Sequence, residues 1–237
     1  MVHLTGPEPT TRGLGTTDAP AIRFGIHVTP DLAKGVIART GARIEDFVLV
    51  PSSVRESFTQ LRTRRVDVML VKYSPHENDI AVGPPVGFDA RAVLVGTDHP
   101  LASRDTVSVE EAASYDAFDR PQGFPESVWD LIVPPRTPAG TPIRRVHTLT
   151  TQDALTRTLT TTQALHFSFR SVEAGLSPRI RAVPVSDLPS APIALAWLNG
   201  AVLPAHVRAF IRAAQAGATW LPQATGTDPV RQAGGAR

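Results

Sequence analysis

Cysteine is absent from the 237 residues, which excludes disulfide bonds, a cysteine nucleophile and thiolate metal sites. A chain without disulfides suits a reducing compartment, and we expect a cytoplasmic protein. The sequence also lacks any apolar run of about eighteen residues, the length that spans a bilayer. Its first residues contain no apolar stretch of the kind found in secretory signals. The sequence therefore predicts neither a membrane span nor export.

Excess charge of one sign is also missing, since the formal net charge is only +2. The high pI of about 9.5 comes from arginine, because Lys34 and Lys72 are the only lysines. A dedicated nucleic-acid binder carries a strongly basic surface. We therefore expect no direct binding to nucleic acid.

Signatures of catalysis and of metal binding are missing as well. The chain contains no His-Glu-x-x-His motif, no Gly-x-Ser-x-Gly elbow and no Walker loop. Adjacent acids such as Glu110 and Glu111 fit the first turn of a helix, where the helix dipole favours them. The sequence thus predicts no catalytic residues, no metal and no cofactor, and we expect a protein that is not an enzyme.

Strand and helix signals alternate through the first third of the chain. Apolar strands are predicted at 21–28, 43–51 and 66–73. Thr29 is a predicted N-cap of the first helix, which should stop at Gly41. Ser53 to Glu56 has the form of a capping box that opens the second helix. This order predicts a parallel α/β sheet.

A second series of elements follows. Ser108 to Glu111 forms another capping box, and Thr150 or Thr151 caps a helix that continues to 161. Further helices are predicted at 125–133 and 204–217, and further strands at 89–97, 143–149, 164–169, 179–185 and 192–198. The Thr-, Gly- and Pro-rich ends, 1–19 and 219–237, are predicted to be a disordered leader and tail.

The order of these parts resembles the effector-binding (substrate-binding) domain of LysR-type transcriptional regulators. Four segments support the resemblance, which extends over about 21–217: "GIHVTPDL" (25–32), "SVRESFTQLRTRRVDVMLV" (53–71), "DHPLA" followed by "VSVEEAASY" (98–115), and "APIALAWL" with "LPAHVRAFIRAA" (191–214). The resemblance implies a type 2 periplasmic-binding-protein-like α/β fold with a ligand cleft between two subdomains. Subdomain I would comprise 20–94 plus 193–218, and subdomain II 95–192.

The sequence departs from the family pattern in two places. The first twenty residues resemble neither the family's winged helix-turn-helix nor its long linker helix. The family also has a Gly-rich segment ending in Leu-Pro, where this chain has "TTTQALHFSFRSVEAG" (160–175). The resemblance therefore implies a sensor that lacks its own DNA reader and has a different pocket wall.

Hydroxyl side chains follow three predicted strands, at the points where helices begin. Helix N-termini at the carboxyl edge of a parallel sheet bind anions and carbonyl groups, although helix capping alone also explains such residues. We expect three of these junctions to converge on the cleft, with ligand contacts from Thr29, Ser52, Ser53, Thr150 and Thr151.

Two further cleft residues are predicted. The resemblance implies that Lys72 is a cationic contact to the effector. The alternative is that Lys72 is a solvated residue at the end of a strand. Phe124 is predicted to line the cleft from subdomain II. The alternative is that Phe124 is an aromatic residue of the core or of a loop.

These features together predict a stand-alone effector-binding domain that senses a small, anionic metabolite and takes part in transcriptional regulation. The resemblance implies that it forms a homodimer or pairs with a full-length regulator. The alternative is an enzyme on the same bilobal scaffold, because a fold does not fix a function.

Overall fold

The computed structural model describes residues 19–27, 30–52, 58–74 and 77–217. These residues contain ten strands: β1 Ile22–Ile26, β2 Phe47–Pro51, β3 Val68–Lys72, β4 Ile80–Asp89, β5 Arg91–Gly96, β6 Ala117–Asp119, β7 Arg145–Thr148, β8 His166–Phe169, β9 Ile180–Pro184 and β10 Ala191–Leu198. They also contain six α-helices: α1 Asp31–Arg39, α2 Thr59–Arg62, α3 Val109–Ala112, α4 Glu126–Ile132, α5 Gln152–Thr161 and α6 Ala205–Ala216. Short 3₁₀ helices cover Ile44–Asp46, Pro100–Ser103 and Arg170–Gly175.

Subdomain I is built on a five-stranded sheet in the order β2-β1-β3-β10-β4. β1 pairs in parallel with β2 and β3, as the alternating signals predict, whereas β10 runs antiparallel to both β3 and β4. The apolar faces of α1 and α6 contribute to its core. At its centre the rings of Phe47 and Phe210 have centroids 4.8 Å apart, and Phe24 packs against both.

Subdomain II contains an antiparallel sheet, β8-β5-β9, and the parallel pair β6-β7. Every residue of β5 is buried, because this strand lies between two partners and beneath helices. The chain crosses between the subdomains twice, from β4 into β5 and from β9 into β10. β4 and β5 belong to different sheets, so the chain leaves the sheet of subdomain I at Ala90. The subdomain boundaries expected from the sequence, between residues 94 and 95 and between 192 and 193, stay predictions.

Helix caps follow the predicted chemistry where the structure describes them. The Ser108 hydroxyl accepts from the Glu111 N–H at 3.0 Å, and the Thr151 hydroxyl accepts from the Ala154 N–H at 3.1 Å. Gly41, just past α1, has the positive φ of +74° that favours glycine there. The Ser53–Glu56 box, the Thr29 cap and the predicted leader and tail, except for Ala19, lie outside the described residues.

The sequence-based prediction differs from the structure in three places, the first of which is the short strand β6, Ala117–Asp119, which was not predicted. The predicted strand at 43–51 begins only at Phe47, since Ile44–Asp46 form a 3₁₀ turn. β4 was not predicted, because Gly83, Pro84 and Pro85 interrupt its apolar pattern. β4 lies at the sheet edge, where proline is tolerated, and its pairing with β10 contains register shifts. None of the described helices is long and apolar enough to cross a membrane.

Candidate functional site

A cavity of about 550 Å³ lies between the two subdomains. Apolar side chains form most of its wall, with a few polar groups between them, as in typical small-molecule sites. Subdomain I contributes the carboxyl ends of β1, β2 and β3. Subdomain II contributes α4, β8 and the beginning of α5.

The wall of subdomain I is fixed by a hydrogen-bonded corner at the ends of β1 and β2. The Ser52 N–H donates to the Ile26 carbonyl at 2.8 Å, and the Ser52 hydroxyl donates to Oε1 of Gln60 at 2.7 Å. His27 Nδ1 lies 3.2 Å from the Ser52 carbonyl, so this nitrogen carries the proton and donates. Burial lowers the pKa of His27, and its imidazole is neutral at pH 7.

Lys72, at the end of β3, lies in the cavity wall within a buried polar cluster. Its ammonium lies 2.7 Å from Oδ2 of Asp89 and 3.2 Å from the Ser171 hydroxyl of subdomain II. It also lies 3.9 Å from the centre of the Phe169 ring, a cation–π distance. Burial lowers the pKa of Lys72, and the Asp89 carboxylate opposes that effect. The side chain is therefore an ion-paired link between subdomains.

Tyr73 follows Lys72 and reaches subdomain II as well. Its hydroxyl accepts from the Arg91 guanidinium at 2.9 Å, and burial raises the pKa of this phenol. Arg91 is buried, and it also donates to the carbonyls of Leu131 and Ile132 at the end of α4. Tyr73 adopts a φ of +63°, which is uncommon for a residue other than glycine and is often found at functional sites.

The wall of subdomain II begins at the N-terminus of α5. Thr150, Thr151 and Gln152 line the cavity there, and the Thr151 hydroxyl caps the helix. The first N–H groups of a helix and its positive dipole end favour an anion or a carbonyl oxygen. Thr151 is therefore confirmed as a helix cap and lies in the cavity wall, while its contact with a ligand stays a prediction.

Aromatic rings form the deeper part of this wall. Phe124 packs edge-on against Trp129 with ring centroids 5.8 Å apart, and both line the cavity. His166 lies beside Trp129, with the rings 28° from parallel and their centroids 6.0 Å apart. Burial lowers the pKa of His166 to about 4, so this imidazole is neutral at pH 7.

The structure brings five of the seven predicted site residues to the cavity wall: Ser52, Lys72, Phe124, Thr150 and Thr151. Thr29 and Ser53 lie outside the described residues. Ligand contact by any of the seven stays a prediction. Sequence reasoning did not select His27, Tyr73, Trp129 or His166 as site residues, because each sits in or beside an apolar segment that also fits a core position.

His99 is a structural residue of the His-Pro-Leu-Ala turn. Its Nδ1 accepts from the Leu101 N–H at 3.0 Å, and its Nε2 lies 3.1 Å from the Gln163 carbonyl, to which it donates. Both ring nitrogens are satisfied, as is usual for a buried histidine. Across the described residues, no group of three or more histidine, aspartate or glutamate side chains is placed to hold a metal ion.

Comparison with known proteins decides the family. The model of the LysR substrate binding domain matches residues 45–219. The chain belongs to this family. No curated protein sequence matches it significantly.

Solved structures of LysR-type proteins share the fold of this LysR substrate-binding domain. The effector binding domain of QuiR in complex with shikimate has a TM-score of 0.61 at 17% identity, with 85% of this chain and 99% of that chain covered. CbnR, a LysR family transcriptional regulator, has a TM-score of 0.64 at 15% identity over 84% of this chain and 70% of CbnR. The effector binding domain of BenM with benzoate has a TM-score of 0.57 at 15% identity, covering 83% and 91%. The fold is therefore the type 2 periplasmic-binding-protein-like fold.

Proposed function

We propose that this LysR substrate-binding domain senses a small molecule held in the cavity between its subdomains. The supporting observation is the cavity of about 550 Å³, whose wall combines side chains from both subdomains. A ligand that touches both walls binds more tightly when they approach, so its binding favours one subdomain angle over another. That change of angle is the signal passed to transcription.

The proposed ligand contacts come from three strand-to-helix junctions. Ser52 and Thr151 present hydroxyls in opposite walls of the cavity, and Thr150 lies beside Thr151. Ten residues of α5 align behind Thr151, which favours a negative group on the ligand. The proposed ligand is therefore a small, anionic metabolite. Its further proposed contacts are Lys72, Phe124, Thr29 and Ser53.

The domain is proposed to act by protein association rather than by touching DNA itself. A formal net charge of +2 supports this view, because DNA binding relies on many positive side chains. The proposed partner is a second copy of the domain or a full-length LysR-type regulator. An electrophoretic mobility shift at low salt tests the first part, and tight, salt-sensitive DNA binding by the chain would overturn it.

Thermal unfolding against a ligand panel tests small-molecule sensing. The panel holds shikimate, benzoate, other small carboxylates and phosphates. A compound at a hundred times its dissociation constant stabilises by about 2.7 kcal/mol, which shifts the midpoint by several degrees. Mass spectrometry of the recovered compound shows whether it is unchanged, and turnover would favour the enzyme alternative. A panel without any shift counts against the proposal.

A pair of cap variants then tests the site. Thr151→Ala and Ser108→Ala each remove a hydroxyl that accepts from a helix N–H, so each costs about 1 kcal/mol of stability. Thr151 lines the cavity, whereas Ser108 caps α3 and is not among the residues of the cavity wall. The proposed site is supported when Thr151→Ala alone weakens binding of the panel hit, and equal binding by both variants would reject it.

A further inference from the structure

His166 differs from His99, the other buried histidine among the described residues, and from the half-buried His27. His99 has partners at both ring nitrogens, and His27 has one at Nδ1. Within the described part of the chain, Nδ1 of His166 is buried and has no hydrogen-bond partner. A buried polar atom without a partner is costly, so such atoms point to a role beyond packing.

The neighbouring indole has the same property. Trp129 Nε1 is buried and has no partner among the described residues. Trp129 and His166 both line the cavity, and their rings lie nearly parallel. Two polar groups that protein atoms leave unsatisfied thus occur side by side in one wall of a ligand-sized cavity.

The surroundings of this pair are aromatic. Phe118 packs edge-on against His166 with centroids 5.4 Å apart, and Phe124 packs edge-on against Trp129. The imidazole is neutral at pH 7, because burial lowers its pKa to about 4. A full charge placed among these rings would lose its hydration without a countercharge. A flat, uncharged group meets no such penalty.

We propose that Trp129 and His166 form a hydrogen-bonding subsite for an uncharged, planar group of the ligand, such as a ring bearing a hydroxyl or a carbonyl oxygen. The indole N–H donates to that oxygen, and the neutral imidazole offers one further donor or acceptor. A half-turn of the imidazole about its Cβ–Cγ bond moves each ring nitrogen to the position of a ring carbon, and no described hydrogen bond holds Nδ1 in place. This subsite rests on the proposed function, and it places the polar end of an aromatic or unsaturated ring in subdomain II.

Phenol and toluene are the probes that test the subsite. They have nearly the same shape, and only phenol carries a hydroxyl. Their affinities for the full chain are measured by ligand-observed NMR at millimolar concentrations. We expect phenol to bind about tenfold more tightly than toluene, the effect of one buried hydrogen bond.

Three variants test whether the preference for phenol over toluene depends on the ring nitrogens of Trp129 and His166. Trp129→Phe and His166→Phe each keep an aromatic ring and remove the ring nitrogens, and we expect the phenol preference to fall towards one. Trp197→Phe is the matched control, because Trp197 lies on β10 and outside the cavity wall, and the preference should stay unchanged.

The outcomes separate this inference from the proposed function. A preference that survives in Trp129→Phe and His166→Phe, or toluene binding as well as phenol in the wild-type chain, overturns the subsite but leaves a working cavity. Binding of neither probe at millimolar concentration also overturns the subsite, whereas the panel of carboxylates and phosphates tests the proposed function separately.

Imidazole NMR of the wild-type chain gives a second test that does not depend on the folding of a variant. In a sample with ¹⁵N-labelled histidine, the His166 ring is identified by its nuclear Overhauser contacts with the rings of Phe118 and Trp129. Phenol should shift its ring nitrogen resonances more than toluene does. Equal shifts with both probes would contradict the hydrogen bond.

Discussion

Lys72 Nζ lies 2.7 Å from Oδ2 of Asp89, although a third strand separates β3 from β4. Asp89 is paired with Ala191 and Lys72 with Ile193, so the two residues flank the first residues of β10. The Ser171 hydroxyl and N–H both donate to the same carboxylate, at 2.5 and 3.2 Å. One buried carboxylate therefore links two strands of subdomain I to subdomain II.

Removing that carboxylate should be costly. In Asp89→Asn the Lys72 ammonium stays buried without its countercharge, so we expect a loss of about 3–5 kcal/mol in the free energy of unfolding. Urea unfolding followed by circular dichroism measures it. The double variant Lys72→Met/Asp89→Asn should recover much of the loss, because it buries no charge at this point. A double variant that is less stable than Asp89→Asn would show that the pair is not the source of the effect.

The Tyr73 hydroxyl should contribute to stability through Arg91. Tyr73→Phe removes the acceptor that lies 2.9 Å from the guanidinium, and we expect a loss of about 1–2 kcal/mol. Tyr115→Phe is the control, since that hydroxyl has no described hydrogen bond. Chemical unfolding of the two variants compares them. Equal stabilities would mean that the bond between Tyr73 and Arg91 contributes little.

Acid should destabilise the domain through His166. The pKa of this residue is about 4 in the folded chain and about 6.5 when unfolded, so the unfolded state binds more protons between these values. Stability therefore falls as the pH drops below 6.5, by about 2 kcal/mol at pH 5 from this residue.

Measuring unfolding at several pH values in the wild type and in His166→Phe isolates this contribution. The variant should lose less stability between pH 7 and pH 5. Burial also lowers the pKa values of His27 and His99, so part of the acid sensitivity should remain in the variant. Parallel curves for the two proteins would contradict a neutral, buried His166.

Two glycines should respond to alanine in opposite ways. A Cβ at Gly96 would lie 2.3 Å from the Leu159 carbonyl oxygen, so α5 would have to move away from β5, and we expect a loss of at least about 2 kcal/mol. A Cβ at Gly35 in α1 meets only the flexible end of Arg39 at 3.6 Å, and alanine there should stabilise by about 0.5–1 kcal/mol. Thermal unfolding compares the pair, and a stable Gly96→Ala variant would contradict the close contact.

Local signals in the sequence predicted most of the elements. β3 has an almost continuous apolar sequence and is buried throughout except at its end. Thr151 predicted the start of α5, because its side chain is of the type that caps helices. Such signals involve only a few neighbouring residues, so they can be recognised in the sequence without knowledge of the tertiary fold. The edge strand β4 was not predicted, because its two prolines are acceptable only where no further strand follows.

The site was predictable only in part, for a similar reason. Parallel strands bring their carboxyl ends to one edge, so topology placed Ser52 at the cavity, whereas Lys72 was predicted there from the family resemblance. Nothing in the sequence distinguishes Trp129 and His166 as cavity residues, since a buried ring in an apolar segment fits a core position equally well. Their missing partners emerge only after every neighbour has been placed.

The position of β10 between β3 and β4 has a consequence for synthesis on the ribosome. All strands of subdomain II, β5 to β9, emerge before β10 does, whereas subdomain I waits for Ala191–Leu198 to fill the middle of its sheet. We therefore expect subdomain II to complete its sheets before subdomain I does. Until β10 arrives, β3 and β4 expose backbone edges that other chains can pair with, and this interval is when the nascent protein most needs a chaperone.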